Sequence, residues 1–200
     1  MKAILLLVLA LISLPSHAAK ILSLNVFDQL QGEWEPGFRE KRMKALGRWI
    51  IRERPDVVVL QEARARAATD AESSDVEGFR KLYPHSFYVH EMTGKDGASY
   101  GYWLGSRKKP DATYVDGFSF PGGVERKVQG ALWRRFAGGQ CLGILHLHLS
   151  YQTSEVRVKE AEWVQKWIVG KSMECGRWIV TGDFNADDDT AEIRHLQETG

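Results

Sequence analysis

Four short apolar runs along the chain share one design: ILSLN (residues 21–25), VVVLQE (57–62), LGILHLHLS (142–150) and WIVTGDFN (178–185). Each is strand-length and rich in leucine or β-branched residues, and each closes on side chains able to bind a cation or move a proton. Between the first two lies GFREKRMKALGRWIIRERP, where Met43, Leu46 and Ile50 recur at helical spacing and Pro55 stops the helix before the next strand. Between the last two lies SEVRVKEAEWVQKWIVG, with Val158, Ala161, Val164 and Ile168 on one stripe and Gly170 as the stop. The pattern predicts two β-helix-β units, whose strands run parallel in one sheet with helices on its face. Ligands of such sheets gather at the carboxyl ends of the strands. Asn25, Glu62, His148, Ser150, Asp183 and Asn185 all fall at such ends, so one sheet edge is expected to collect them.

The middle of the chain is less regular. FRKLYP reads as a short helix, SFYVHEM and YGYWLGS as aromatic-rich antiparallel strands, and GKDGAS and FPGGVE as turns. Ahead of the first strand, Met1-Lys2 and the apolar run AILLLVLALISL lead into PSHA. That run is short of the roughly 20 apolar residues a membrane span needs, so it reads as a cleavable signal peptide over residues 1–19, leaving a domain over 20–200. The mature chain is then expected to be secreted or periplasmic.

Export gives the two cysteines a meaning. Cys141 and Cys175 each lie shortly before an apolar run, which suits either one disulfide or two buried free thiols. Charge says less. Lys and Arg number 27 against 26 Asp and Glu, and loss of Lys2 makes the balance even, so the total favours no partner. Basic clusters at Arg64 and Arg66, Arg107 to Lys109, Arg126-Lys127 and Arg134-Arg135 read as solvated surface.

The stretch TGDFNADDDTAEIRHL carries Asp183, Asn185 and Asp187 at positions one, three and five of a calcium loop. Asp188 stands where that loop needs glycine and Arg194 where it needs glutamate, so the reading fails. Asp187 to Asp189 and Thr190 read as a turn and helix start. Asp183 and Asn185 differ, because Phe184 alternates between them in an extended segment and leaves both polar groups on one side. His146 shares a face with His148 by the same alternation and reads as structural; a zinc site built on that pair lacks the following aspartate and histidine.

GDFNA, with LSLNV, VVLQEAR and LHLS in this order, resembles the endonuclease/exonuclease/phosphatase superfamily, over roughly residues 21–196. The resemblance implies a deoxyribonuclease-I-like four-layer α/β/β/α sandwich. It implies Asn25 and Glu62 as metal-binding residues, His148, Asp183 and Asn185 as catalytic, and Arg64, Tyr100 (or Tyr102) and Arg126 as substrate-binding. The implied cofactor is Mg²⁺, with Mn²⁺ or Ca²⁺ as alternatives, and the reaction is hydrolysis of a phosphoester. The expected substrate is a phosphodiester in nucleic acid, because Arg64 follows Glu62 as in deoxyribonuclease-like members; no protein partner is implied and a monomer is expected. Phospholipid or sphingomyelin phosphodiesterase and inositol-phosphate phosphatase are the alternatives, with Trp34, Phe38, Trp103 and Phe118 to Phe120 either a membrane-facing rim or core. A further alternative is a non-catalytic binding protein. The family's usual S-D-H segment has no counterpart before Gly200, so the fold is expected to be incomplete at its C-terminus and the activity of these 200 residues alone is in question.

Overall fold

A computed structural model of the chain describes residues 19–26, 38–65, 79–94 and 97–198. The expected signal peptide, Trp34, the Phe38 side chain and Arg66 lie outside the described residues. The elements run β1 (Ile21–Asn25), α1 (Phe38–Glu53), β2 (Val57–Ala65), β3 (His85–Thr93), β4 (Ser99–Ser106), β5 (Ala112–Phe118), β6 (Arg126–Trp133), β7 (Leu142–His148), α2 (Ser154–Lys171), β8 (Trp178–Asp183) and α3 (Ala191–Gln197). They form two four-stranded sheets, ordered β1-β2-β4-β3 and β5-β6-β7-β8.

Both β-helix-β units exist, but they do not share a sheet. β1 pairs in parallel with β2 in the first sheet, and β7 with β8 in the second; every other pairing is antiparallel. The two parallel pairs look alike in sequence because each is covered on both faces, one by a helix and the other by the opposite sheet. Strand parity shows this directly. Val58 and Leu60 of β2 pack with Ile50 of α1, while Val57 and Val59 pack with Leu104, Ala131, Trp133 and Ile144 between the sheets. In β7, Leu145 and Leu147 face outward beneath Val164 and Trp163 of α2. The alternative parity, Ile144, His146 and His148, points between the sheets.

The layers are therefore α1, sheet, sheet, α2, and α3 is fastened beside α2 by Glu192, which accepts from Ser154 Oγ at 2.7 Å and Arg157 Nε at 2.6 Å. α1 ends as expected near Pro55, with Arg54 in the left-handed region (φ 49°) donating its N–H to the Ile50 carbonyl at 2.8 Å. α2 runs through Gly170 to Lys171, and its innermost stripe is Val156, Ala161 and Val164 rather than one starting at Val158. FRKLYP is a turn, not a helix, with the Leu82 and Tyr83 N–H groups both on the Phe79 carbonyl. Thr190 starts α3, but its hydroxyl donates back to the Asp187 carbonyl at 2.8 Å instead of capping the helix.

Cys141 and Cys175 form a disulfide, with Cα atoms 5.8 Å apart, joining the segments that lead into β7 and β8. It lies at the opposite end of these strands from Asp183 and His148. Trp103 is 2% exposed and meets Tyr83 edge to face, and Phe118 packs on Trp163, so both belong to the core and not to a rim. No helix among the described residues is long and apolar enough to cross a membrane.

Candidate active site

Two facing sheet edges, not one, supply the site. β1 and β2 bring Asn25 and Glu62 from the first sheet; β7 and β8 bring His148 and Asp183 from the second. Asn25 joins them: its Nδ2 donates to Glu62 Oε1 at 2.9 Å and to Asp183 Oδ2 at 2.7 Å.

Glu62 reaches this position through a local irregularity. The register between β2 and β4 shifts between Leu60 and Ala63, and Glu62 takes a left-handed backbone (φ 55°), so two successive side chains, Gln61 and Glu62, are both buried. A β-bulge of this kind re-aims a side chain next to a functional site. Gln61 turns to His146 instead: its Nε2 lies 2.6 Å from His146 Nε2, and His146 Nδ1 lies 3.0 Å from Gln129 Oε1. Gln129 Oε1 can only accept and Gln61 Nε2 can only donate, which fixes His146 as the neutral Nδ1–H tautomer. Burial, aided by His148, pushes that imidazole down to about 3. His146 thus belongs to a neutral polar bridge between the sheets, as its place in the sequence suggested.

β8 delivers Asp183 and Asn185 by a close approach to β7. Gly182 has φ 149°, and a Cβ there would collide with the Leu147 carbonyl oxygen, so glycine is required before the aspartate. Asp183 Oδ1 accepts the Asn185 backbone N–H at 2.9 Å, which holds Asn185 in the left-handed region (φ 47°). The Asn185 side chain donates to the Leu149 carbonyl at 2.8 Å.

His148 is 5% exposed, with Nε2 at 3.8 Å from Asp183 Oδ2 and Nδ1 at 3.8 Å from Glu91 Oε2. Burial and then the Arg126 charge push its pKa down, against the pull of Glu91, Asp183 and Glu62, so the neutral ring is favoured.

Glu91 is the site residue that sequence reasoning missed. Its Oε1 accepts from Tyr102 Oη at 2.5 Å and Arg126 Nη1 at 2.7 Å. Its Oε2 is buried without a hydrogen bond, as is His148 Nδ1, and these two atoms face each other. A second bulge, between His90 and Met92, turns Glu91 inward. Gly101 opposite makes room for it: a Cβ there would strike the Val89 carbonyl oxygen and lie 3.0 Å from the Glu91 nitrogen. The available signal was one carboxylate inside the aromatic strand SFYVHEM.

The expected substrate-binding residues are placed differently. Arg126 is 4% exposed, and its guanidinium is engaged by Glu91 and, through Nη2 at 3.2 Å, by the Leu149 carbonyl. Tyr102 is fully buried against Glu91 and His146, and Tyr100 is 2% exposed. Arg126 and Tyr102 therefore support the site from behind rather than line it, and Tyr100 is covered. Arg64 is half-buried in β2, in register beside Tyr100.

An open cleft of about 270 Å³ is lined by Ser23, Leu24, Asn25, Asp183, Phe184 and Asn185, among others. Glu62 and His148, both 5% exposed, lie behind this rim. Glu62 Oε2 is buried and has no hydrogen-bond partner among the described residues. A buried carboxylate oxygen with no donor is a place for a cation. Among the described residues no three His, Cys, Asp or Glu groups form a metal cage. One carboxylate with an amide neighbour suits a hard divalent cation that keeps several waters.

The sequence matches the Endonuclease/Exonuclease/phosphatase family over residues 35–200. The chain belongs to that family. Its members hydrolyse phosphoester bonds and are generally dependent on divalent metals. Solved structures share the fold: an endonuclease/exonuclease/phosphatase family protein from Bacteroides thetaiotaomicron (TM-score 0.67, 13% identity, 90% of this chain and 66% of that one) is one. A mannosyl-6-phosphatase from the same organism (0.67, 14%, 92% and 71%) and D. rerio TDP2 complexed with single-strand DNA product (0.60, 22%, 90% and 64%) are others. The chain spans between 48% and 71% of the length of such structures. No curated protein is significantly similar in sequence.

Proposed function

We propose that this chain is the hydrolytic part of an exported, Mg²⁺-dependent phosphodiesterase acting on nucleic acid. The observation that carries the reading is Asn25, whose amide ties Glu62 of one sheet to Asp183 of the other beside His148. Export rests on the apolar N-terminal run, and the Cys141–Cys175 disulfide is in keeping with it.

Each side chain has a role its geometry suits. Glu62 Oε2, with the Asn25 amide beside it, would hold Mg²⁺, and the cation when bound would neutralise charge on the non-bridging phosphate oxygens. Mn²⁺ or Ca²⁺ fits the same oxygen donors. Asp183 is fixed at both oxygens, Oδ2 by Asn25 and Oδ1 by the Asn185 N–H, and so can orient an attacking water and accept its proton. The Asn185 amide carries a second N–H for a phosphate oxygen. Neutral His148, with Nδ1–H turned to Glu91, presents an unprotonated Nε2 on the Asp183 side, where it can accept a proton and, once charged, donate to a phosphate oxygen. Closing a distributed group of this kind in a low-dielectric setting makes each hydrogen bond count for more than it would in water.

Nucleic acid is favoured by Arg64, two residues after Glu62 on β2, a residue type that contacts phosphates. D. rerio TDP2, of the same fold, was solved in complex with single-strand DNA product. The mannosyl-6-phosphatase has the fold too, so phosphomonoesters belong in the test. Plasmid DNA, a lipid phosphodiester, an inositol phosphate and a phosphosugar, each with Mg²⁺ and then EDTA, separate the readings. EDTA-sensitive cleavage of DNA is expected; cleavage of only one of the other three would reassign the substrate. Failure with all four would remove the proposal and leave a non-catalytic binding protein, and EDTA-resistant cleavage would remove its metal dependence.

A further inference from the structure

We infer that Glu160, on α2, is a positioning residue for the active site: through the peptide joining Leu149 to Ser150 it fixes the direction of the carbonyl that holds Asn185. The consequence for turnover rests on the phosphodiesterase reading; the consequence for Asn185 does not.

Glu160 is 1% exposed, and both of its oxygens go to one residue. Oε2 accepts the Ser150 backbone N–H at 2.8 Å, and Oε1 accepts from the Ser150 hydroxyl. That N–H and the Leu149 carbonyl are the two ends of a single planar trans peptide, so they point in opposite directions and cannot turn independently. On the carbonyl side are Asn185 Nδ2 at 2.8 Å and Arg126 Nη2 at 3.2 Å. A carboxylate on α2, outside the sheet, is thereby linked across one rigid unit to the amide of a site residue and to the guanidinium that holds Glu91.

Nothing else can take over this role cheaply. Leu149 and Ser150 are both fully buried, so water does not replace a lost acceptor. The FPGG turn seals the place: a Cβ at Gly123 would lie 2.8 Å from Val156 Cγ1 and 3.5 Å from Ser150 Oγ. The Leu149 N–H is already committed to the Asp183 carbonyl at 2.8 Å, and Arg157 Nη1 donates to the Ser150 carbonyl at 3.4 Å. Without Glu160 the peptide keeps these outer anchors but loses the one that sets its tilt. A charged acceptor on the N–H also polarises the carbonyl at the other end and strengthens what it holds.

The substitution series follows from donor chemistry. Glutamine at 160 can still receive the Ser150 N–H on Oε1 and donate from Nε2 to Ser150 Oγ, since a hydroxyl both donates and accepts. Leucine can do neither. The test compares Glu160→Gln, Glu160→Leu and Ser150→Ala in the full chain by two readouts: hydrogen exchange of the Asn185 side-chain amide by NMR, and Mg²⁺-dependent hydrolysis of bis(p-nitrophenyl) phosphate. Glu160→Gln is expected within about threefold of the parent in both. Glu160→Leu is expected to speed Asn185 amide exchange and to lower kcat, each by about tenfold or more, with KM changed by about twofold at most. Added to Asn185→Ala, it should lower kcat no further. If the leucine variant does not fold, Ser150→Ala gives the same direction in both readouts, by about two- to threefold. Unchanged Asn185 exchange in Glu160→Leu, or in Ser150→Ala where the former does not fold, overturns the inference. So does a glutamine variant as impaired as the leucine one, or full multiplication of the Glu160 and Asn185 effects. If the parent hydrolyses nothing, the proposed function fails while the exchange measurement still decides this point.

Discussion

Asn25 and Asp183 are 158 positions apart in sequence and belong to different sheets, yet Asn25 Nδ2 donates to Asp183 Oδ2 at 2.7 Å. The same nitrogen holds Glu62 at 2.9 Å. The site is therefore assembled by sheet-on-sheet packing: anything that shifts the two sheets relative to each other separates Glu62 from Asp183.

Gly182 governs how close β8 comes to β7. Gly182→Ala combines a disfavoured backbone angle with a collision against the Leu147 carbonyl. We expect a loss of at least about 2 kcal/mol in urea unfolding. A stability unchanged from the parent would mean that the close approach is not needed.

His146 links stability to pH. Its imidazole is held down to about 3 in the folded chain, mainly by burial, whereas an unfolded histidine titrates near 6.5. The unfolded state therefore takes up a proton first as pH falls, and the contribution of neutral His146 is present above about 6.5 and lost progressively toward about 3. The slope is up to about 1.4 kcal/mol per pH unit. Unfolding free energies of the parent and of His146→Gln at pH 7, 6 and 5 should converge as pH falls; parallel profiles would show that His146 titrates normally.

Glu91 supports His148 and anchors Arg126. Glu91→Gln keeps one oxygen able to accept from both Tyr102 and Arg126 but puts an amide N–H in place of the oxygen facing His148. Turnover is expected to fall by about ten- to a hundredfold with a smaller change in KM. Equal falls in kcat and stability-limited expression would point to a packing role alone, which thermal unfolding of the same variant detects.

The disulfide closes a separation of 34 residues, which in the loop-entropy picture stabilises by about 3–4 kcal/mol. Because Cys141 and Cys175 lie at the starts of β7 and β8, away from Asp183, Cys141→Ser with Cys175→Ser should lower the Tm and leave kcat near that of the parent below the transition. A matching collapse of kcat would couple the two strand ends.

Much of this arrangement was legible in the sequence. Apolar runs ending in Asn25, His148 and Asp183 located three strand ends, the run ending in Glu62 located the bulge within β2, and alternation put His146 and His148 on one face. Their division between two sheets was not visible, because a strand buried under a helix and a sheet has the same composition whichever sheet it joins. Glu91 escaped because a bulge, not a strand end, turns it inward, and Arg126 because its charge suggested substrate before any buried carboxylate was in view. Glu160 sits in the charged run RVKEAE, where nothing local separates it from solvated Glu155 or half-buried Glu162.

The assembled site stands or falls on a divalent cation at Glu62. Mn²⁺ binding followed by electron paramagnetic resonance, in the parent and in Glu62→Gln, addresses this without relying on any substrate. One Mn²⁺ per chain, displaced by Mg²⁺ and weakened by about tenfold or more in Glu62→Gln, is expected. Equal binding by the two proteins, or none by the parent, would show that the buried Glu62 oxygen serves some purpose other than holding a metal.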